Sequence, residues 1–194
     1  MINQNDPQTD FFKCPVDEIY FLNNSLIDSP YVKAGILLQD VINCINRPYR
    51  KLAALYGNMA FLHQTHSDSI VHITKSAIKN KIGRFKGDAL ITSESDIAIC
   101  AHAADCLPVL IYHTDGFIGA VHAGWRGTVQ NIIGKTVAAM QREFGVNLKE
   151  LNFILMPSIR DCCYEVGAEI AVLFENRRYS DGGRLVVDVA KENI

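Results

Sequence analysis

Side chains that can bind a metal ion or transfer a proton are concentrated in residues 100–128, a stretch that is otherwise apolar. Burying such a side chain costs free energy unless it is paired with a partner or bound to a metal. A second cluster, HQTH, follows an apolar run, and the two segments together contain five of the six histidines in the chain. The ionisable side chains that we single out in the two segments are His63, His66, His102, Asp105, Cys106, His113, His122 and Arg126.

Three of these residues, His66, Cys106 and His122, form a candidate metal-binding set. They are separated by 40 and 16 residues, whereas the paired ligands of a zinc finger lie about two to five residues apart. Spacing alone therefore leaves two interpretations open. Either each residue is satisfied separately in the core or at the surface, or the three hold a catalytic zinc that keeps one position open for water or substrate.

The sequence HAGWRGT indicates a candidate anion site. It is typical of a strand, a glycine-bracketed turn and a helix, for which Thr128 is the predicted N-cap. Gly124 and Gly127 would let a ligand approach the backbone N–H groups at the helix start, and Arg126 would add a planar fork of donors. Phosphate fits such a site. The alternative is a solvent-facing arginine in a tight turn, with Trp125 packed in the core.

These residues must be positioned by strands and a few helices. The apolar stripe of a helix is predicted over 129–144, with Gly145 as its C-terminal stop, and a second helix is predicted over 47–56. Because strands and helices do not alternate regularly, the sequence predicts an α+β fold with a mixed β-sheet core and a few packed helices. Strands are predicted at 18–22, 32–38, 59–63, 69–74, 97–103, 107–113, 117–122, 152–156 and 184–188.

The composition is that of an ordinary folded domain. The 194 residues are 48% hydrophobic and 21% charged, so we expect a single domain over residues 1–194. A net charge of -2 gives no electrostatic reason to bind nucleic acid or an anionic membrane, and the expected partner is a small molecule. No signal peptide or membrane-spanning stretch is recognisable, which predicts a cytoplasmic location.

The six cysteines are too sparse for a disulfide scaffold. A special cysteine is therefore expected to be a metal ligand or a nucleophile. Cys162 and Cys163 are neighbours that cannot readily form a disulfide without distorting the peptide between them, so the sequence predicts two unrelated thiols.

Five segments in order along the chain resemble the laccase-domain family. They are HQTHSDSIV at 63–71, GDALIT at 87–92, ADCLPVLIY at 104–112, GAVHAGWRGT at 119–128 and PSIRDCCYEVG at 157–167. The combination of ADCLPVL with HAGWRG is highly specific. The family was long labelled multicopper polyphenol oxidase and is now associated with purine nucleoside phosphorylase and adenosine deaminase activity.

The resemblance implies a zinc held by His66, Cys106 and His122, the same three residues that the chemistry singled out. It also implies that Arg126 lies beside the site. We add Gln64, from the Q-x-H segment, to the candidate substrate-binding residues. The full set of candidates for binding substrate or phosphate is Gln64, Gly124, Arg126, Gly127 and Thr128.

The sequence departs from the family pattern in two places. Met156 stands where the family usually has a glycine before the proline of the PSI segment. The family also continues beyond the DVAKENI-like segment into a stretch with further cysteines and a basic motif, and we expect this chain to lack that stretch.

The resemblance favours a zinc-dependent purine nucleoside phosphorylase, which converts adenosine, inosine or guanosine and phosphate into a free base and ribose 1-phosphate. Arg126 and the helix N-terminus would orient the phosphate. Adenosine deamination is a candidate second reaction, in which a zinc-bound water attacks the purine. Asp105 and Asp88 are the candidates for its proton transfer, and turn capping or salt bridging is the alternative role for both.

Two other classes of function remain as alternatives. A copper-dependent polyphenol oxidase is the first, and copper competes well for nitrogen and sulfur ligands. A four-copper oxidase, however, needs more histidines than six, many of them in HxH pairs, and the sequence has no such pair. The second alternative is a non-catalytic metal-binding domain.

Overall fold

The computed structural model of the protein describes residues 11–13, 19–22, 32, 34–37 and 57–193. Within these residues it contains thirteen strands and four α-helices, so the predicted α+β class is confirmed. No helix among the described residues reaches the length and apolarity that a bilayer crossing requires. The helix predicted over 47–56 lies outside the described residues.

The strands are short, with two to seven residues each. They are β1 (Phe11–Lys13), β2 (Ile19–Leu22), β3 (Gly35–Leu37), β4 (Asn58–His63), β5 (Ile70–His72), β6 (Ile82–Lys86), β7 (Ala89–Thr92), β8 (Ile97–Cys100), β9 (Leu107–His113), β10 (Ile118–Ala123), β11 (Leu151–Leu155), β12 (Arg178–Tyr179) and β13 (Leu185–Val186). The α-helices are α1 (Trp125–Val129), α2 (Ile132–Phe144), α3 (Ala168–Ala171) and α4 (Val189–Glu192).

A five-stranded sheet in the order β11-β9-β10-β7-β5 is the centre of the fold. Its strands pair antiparallel except for β5 and β7, which are parallel. A second sheet, β6-β4-β8, is entirely parallel. The remaining strands form a three-stranded sheet, β1-β2-β3, and a two-stranded one, β12-β13. Parallel and antiparallel pairs thus occur in one sheet, as the predicted mixed core requires.

Helix α2 covers one face of the five-stranded sheet. Its buried residues are Ile132, Thr136, Ala139 and Met140, which recur at the three- and four-residue steps of a core-facing stripe. They pack with Val109, Ile111 and Val121 of the hairpin formed by β9 and β10. This apolar layer fixes β10, and therefore the polar residues at the end of β10, relative to the helix.

The helix predicted over 129–144 is in fact two helices, and the prediction of Thr128 as its N-cap is wrong. Thr128 lies inside α1, and Asn131 is the N-cap of α2. Asn131 has a left-handed backbone (φ 57°), and its side chain accepts a hydrogen bond from Gly134 N. Asparagine tolerates this conformation better than most residues. The predicted C-terminal stop is confirmed, since Gly145 is left-handed and its N–H donates to Gln141 O.

Nine of the thirteen strands match predicted ranges, and β1, β6, β7 and β12 were missed. All four residues of β7 are buried, so the strand lacks the polar alternation that marks a half-exposed strand. Strand β12 has only two residues, and both are exposed. The run from β6 to β7 is interrupted by Gly87, whose φ is 155°, and a side chain there would come within 2.9 Å of Ser69 O.

We expect Asn131 to contribute measurably to stability. Asn131→Ala removes the cap and leaves an alanine in the left-handed region, which should cost about 1–2 kcal/mol of unfolding free energy. Asn131→Gly removes the same side chain but tolerates the backbone, and should cost only a few tenths of a kcal/mol. Urea unfolding of the two variants measures the difference. Equal destabilisation would contradict the left-handed N-cap.

Candidate metal centre

The site is built around the carboxylate of Asp88, which lies in the turn between β6 and β7. Asp88 is completely buried. Its Oδ2 accepts hydrogen bonds from Ser67 N (2.8 Å), Ser67 Oγ (2.7 Å), Thr65 N (3.1 Å) and Thr65 Oγ1 (3.2 Å). Its Oδ1 accepts from His66 N (3.0 Å) and lies 2.9 Å from His122 Nδ1. One carboxylate therefore fixes the loop after β4 and a side chain of β10.

These contacts keep Asp88 ionised. Burial alone would raise its pKa, but the hydrogen bonds from Ser67, His122 and Thr65 outweigh burial and lower the pKa of Asp88 to about 2. The carboxylate is an acceptor in every contact described above. A group with this pKa and this many donors holds its neighbours in place, so the geometry favours a positioning role over the proton transfer considered from the sequence.

His122 projects from β10 and is buried. Burial lowers its pKa, while the hydrogen bond and the charge of Asp88 oppose that shift. Because Nδ1 is engaged by Asp88, Nε2 is the nitrogen left to bind a ligand. A carboxylate behind the far nitrogen of a histidine is the usual support of a metal-binding imidazole, since it fixes both tautomer and ring orientation.

Cys106 precedes β9 and is half-buried. Burial raises the pKa of its thiol, and the charges of Asp105 and Asp88 raise it further. The free protein therefore keeps Cys106 protonated at neutral pH. A metal ligand must be a thiolate, so a cation bound here would displace a proton into solvent.

His66, Cys106 and His122 meet in space, with their ligand atoms all within 4.8 Å of one another. The two imidazole rings lie edge to face, with centroids 5.0 Å apart and planes at 84°. A tetrahedral zinc requires donor separations of about 3.3–3.6 Å, which small side-chain rotations can reach. Because His66 is exposed and His122 is buried, the set is covered on one side and open on the other.

Gly124 is part of the same centre. A Cβ atom there would lie 3.1 Å from His66 Cδ2, 3.2 Å from Cys106 Sγ and 3.7 Å from His122 Cε1. The first two distances are shorter than ordinary van der Waals contacts, so a side chain at position 124 would press against His66 and Cys106. Glycine leaves room for these side chains to approach the backbone. This role differs from the phosphate contact expected from the sequence.

Gln64, Gly127 and Thr128 are the next candidate residues, and each is held by the surrounding fold. Gln64 is engaged by the backbone, since Gln64 Nε2 donates to His102 O and His102 N donates to Gln64 Oε1, both at 2.8 Å. Gly127 and Thr128 are buried within α1, and Thr128 Oγ1 accepts a hydrogen bond from Asn193 Nδ2 at 2.9 Å. These contacts give Gln64 and Thr128 roles in holding the fold together.

Arg126 and Asp105 are exposed beside the metal-binding set. The guanidinium of Arg126 stacks on Trp125, with Cζ 4.3 Å from the ring centroid. The first backbone hydrogen bond of α1 runs from Thr128 N to Gly124 O at 2.9 Å, so the N–H groups of residues 125–127 precede the helical bonds. Arginine and these N–H groups are thus close in sequence to the glycine of the centre.

Tyr164 is a site residue that the sequence reasoning missed. Burial raises the pKa of its phenol, the charges of Cys106 and Asp105 raise it further, and Arg126 lowers it. Tyr164 therefore shares one neighbourhood with these three groups. Ser67 and Thr65, whose backbone and hydroxyl groups donate to Asp88, were also missed.

Two of the other histidines lie close to carboxylates outside the site. His72 Nδ1 lies 3.6 Å from Glu143 Oε2, and His113 Nε2 lies 3.0 Å from Glu150 Oε2. Within the described residues, which include every histidine, the only group of three or more potential ligands is the His66, Cys106 and His122 set. The histidines outside it are His63, His72, His102 and His113.

The fold is shared with solved structures. YlmD from Geobacillus stearothermophilus matches with a TM-score of 0.67 and 22% identity, covering 97% of this chain and 80% of that chain. YfiH from Bacillus licheniformis matches with a TM-score of 0.64 and 24% identity, covering 75% of this chain and 61% of that chain. At these identities the likeness establishes the architecture.

Sequence relatives carry a consistent description. A purine nucleoside phosphorylase of Aquifex aeolicus is 33% identical over 131 residues, which are 68% of this chain and 60% of the relative. A purine nucleoside phosphorylase of Bacteroides thetaiotaomicron is 42% identical over 93 residues, 47% of this chain and 34% of the relative. The chain thus spans less than two thirds of the length of each of these relatives.

The family model described as multi-copper polyphenol oxidoreductase laccase matches residues 32–192. The chain therefore belongs to this laccase-like family, as the five motifs indicated. The matched range includes the residues that form the metal-binding set and the Asp88 carboxylate behind it.

Replacing the carboxylate of Asp88 should weaken metal binding. Asp88→Asn puts an amide N–H₂ among donors and loosens His122, and we expect about a 10- to 100-fold loss of zinc affinity. Asp105→Asn is the matched control, because it removes an exposed carboxylate next to Cys106 and should change the affinity by less than about threefold. Competition with a chromophoric chelator measures both affinities, and circular dichroism verifies folding. Equal affinities in folded protein would contradict the positioning role.

Proposed function

We propose that the chain carries the zinc centre of a purine nucleoside phosphorylase. The observation that carries the proposal is the His66, Cys106 and His122 set, which is supported from behind by Asp88 and open toward His66. The relatives described as purine nucleoside phosphorylases support the choice of reaction. A centre with three protein ligands and one open side is typical of catalytic rather than structural zinc.

Zinc is the metal that the donor set favours. Two imidazole nitrogens and one thiolate form a common zinc ligand set, and zinc imposes little geometry of its own. Copper would also bind such ligands. Bound zinc would supply a Lewis acid and would acidify a coordinated water.

Arg126 is the proposed phosphate-binding residue. Its guanidinium is exposed and is held by stacking on Trp125, so its donors are oriented before phosphate arrives. The backbone N–H groups of Arg126 and Gly127 stand before the first helical hydrogen bond of α1. The proposed role of Gly127 is to donate its backbone N–H to phosphate. Donors fixed in this way orient phosphate toward the anomeric carbon of the nucleoside without reorganising during the reaction.

Asp105 is the proposed catalytic carboxylate. It is exposed next to Cys106, and a carboxylate can stabilise the positive charge that develops on the ribose as the bond to the base breaks. Asp88 acts through His122 instead and is a positioning residue. If adenosine deamination accompanies phosphorolysis, Asp105 is the carboxylate in place to transfer the proton.

The copper oxidase alternative receives less support. Its chemistry needs several copper sites, and the described residues contain one group of suitable ligands. His72 and His113 are held by carboxylates away from that group. The family description alone favours this alternative.

Phosphorolysis tests the proposal directly. Zinc-loaded protein with inosine or adenosine and phosphate should release free base and ribose 1-phosphate, and both are quantified by chromatography. Arg126→Ala should raise the KM for phosphate about 10- to 100-fold, because a hydrogen bond to a charged group contributes about 1.5–3 kcal/mol. Arg142→Ala, at an exposed position on α2, is the control and should leave the KM unchanged.

Two results would contradict the proposal. One is the absence of turnover from protein that retains one zinc per chain. The other is base release at a rate that does not depend on phosphate. Oxidation of a phenol by the copper-loaded protein, without phosphorolysis by the zinc-loaded protein, would favour the oxidase.

A further inference from the structure

Cys162 and Cys163 are adjacent, exposed and in contact with each other. Their Sγ atoms lie 3.1 Å apart. As predicted, they are two free thiols, but their contact shows that they are not independent of each other. Neighbouring residues of an extended chain point to opposite faces, so a contact between adjacent side chains requires a turn.

The turn is defined by the backbone. Cys163 N and Tyr164 N both donate to Arg160 O, each at 2.9 Å, and Glu165 N donates to Cys163 O at 3.1 Å. This tight arrangement places both sulfur atoms on the same side of the chain. Both thiols face solvent and are accessible to a small oxidant.

Two arginines lie beside the turn that holds the pair, and each is paired with a carboxylate. Arg178 donates to Asp161 Oδ2 at 3.0 Å and Arg184 to Glu165 Oε2 at 3.1 Å, so both guanidinium groups are anchored beside the turn. The contact with Cys162 raises the pKa of Cys163, and the charge of Arg184 opposes that rise. Cys163 therefore retains its proton and can donate it to Cys162.

We propose that Cys162 and Cys163 form a reversible redox pair that is oxidised by hydroperoxides and alters the neighbouring metal centre. The Cys162 thiolate attacks a peroxide oxygen and becomes a sulfenic acid, while the other peroxide oxygen leaves as an alcohol or water. The Cys163 sulfur then attacks the sulfenic sulfur, the S–S bond forms, and water departs with the Cys163 proton. Two electrons pass from the two thiols to the peroxide.

Geometry makes this disulfide labile. Consecutive Cα atoms lie about 3.8 Å apart across a trans peptide, whereas disulfide-linked residues usually have Cα atoms about 4.4–6.8 Å apart. The bond between neighbours is strained and easily reduced, as expected for a regulatory disulfide rather than a structural one. The peptide distortion anticipated from the sequence thus favours reversibility.

Tyr164 connects the peptide that a Cys162–Cys163 disulfide would distort with the metal centre. This residue follows Cys163 directly, and its phenol shares a neighbourhood with Cys106, Asp105 and Arg126. The turn also contacts the site through its start, because Ile159 N donates to Asp105 O at 2.9 Å. A change at residues 162–163 therefore moves groups beside the proposed reaction, and this part of the inference rests on the proposed function.

One experiment tests both parts. Zinc-loaded wild-type protein and Cys162→Ser are treated with hydrogen peroxide, alkylated and digested with trypsin, which releases residues 161–177 as one peptide with both thiols and no other cysteine. We expect the wild-type peptide to become about 2 Da lighter and resistant to alkylation, and a phosphine reductant to restore it. Phosphorolysis should fall at least about threefold on oxidation and recover on reduction in the wild type only.

Each result decides one point. Peptide 161–177 that stays fully alkylated, or that gains only sulfinic or sulfonic oxygen, would overturn the redox pair. Disulfide formation without a change in turnover, or an equal loss of turnover in Cys162→Ser, would overturn the coupling to the site. Absence of phosphorolysis before oxidation would be a failure of the proposed function, and the peptide masses would still test the pair. Cys100, whose pKa burial raises to about 12, should remain reduced throughout.

Discussion

The site depends on one buried carboxylate that several donors share. Asp88 connects the loop after β4 with β10, because Oδ1 binds both the backbone of His66 and the ring of His122. Burying a charge without such partners would cost several kcal/mol. The donors offset that cost and position two candidate metal ligands, His66 and His122, from distant parts of the chain.

The backbone at His66 and Gly124 also shapes the site. His66 has a left-handed φ of 56°, which hydrogen bonding of its N–H to the carboxylate supports. Gly124 leaves the space in which the imidazoles and the thiol approach each other. The short helix α1 follows immediately, so the candidate ligand His122 and the proposed phosphate donors belong to one continuous stretch that begins on β10.

The sequence was sufficient to single out the three candidate ligands, which the structure brings together, and to predict most of the larger elements. Alternating or long apolar runs predicted β9 and β10, and ionisable residues at their ends pointed to the metal set. The break between α1 and α2 was not predictable from periodicity, because Asn131 interrupts the helix through a local backbone conformation. The partners of Asp88 and Gln64 required the tertiary structure, because Asp88 and His122 are 34 residues apart in the chain and Gln64 and His102 are 38 apart. The place of Tyr164 near Cys106, Asp105 and Arg126 also required it.

The central claim is that His66, Cys106 and His122 together hold one zinc with an open position. X-ray absorption at the zinc edge of the loaded protein measures this most directly. The account predicts one sulfur neighbour at about 2.3 Å, two imidazole nitrogens at about 2.0–2.1 Å and one further oxygen. A zinc without a sulfur neighbour, or with two sulfur neighbours, would contradict it.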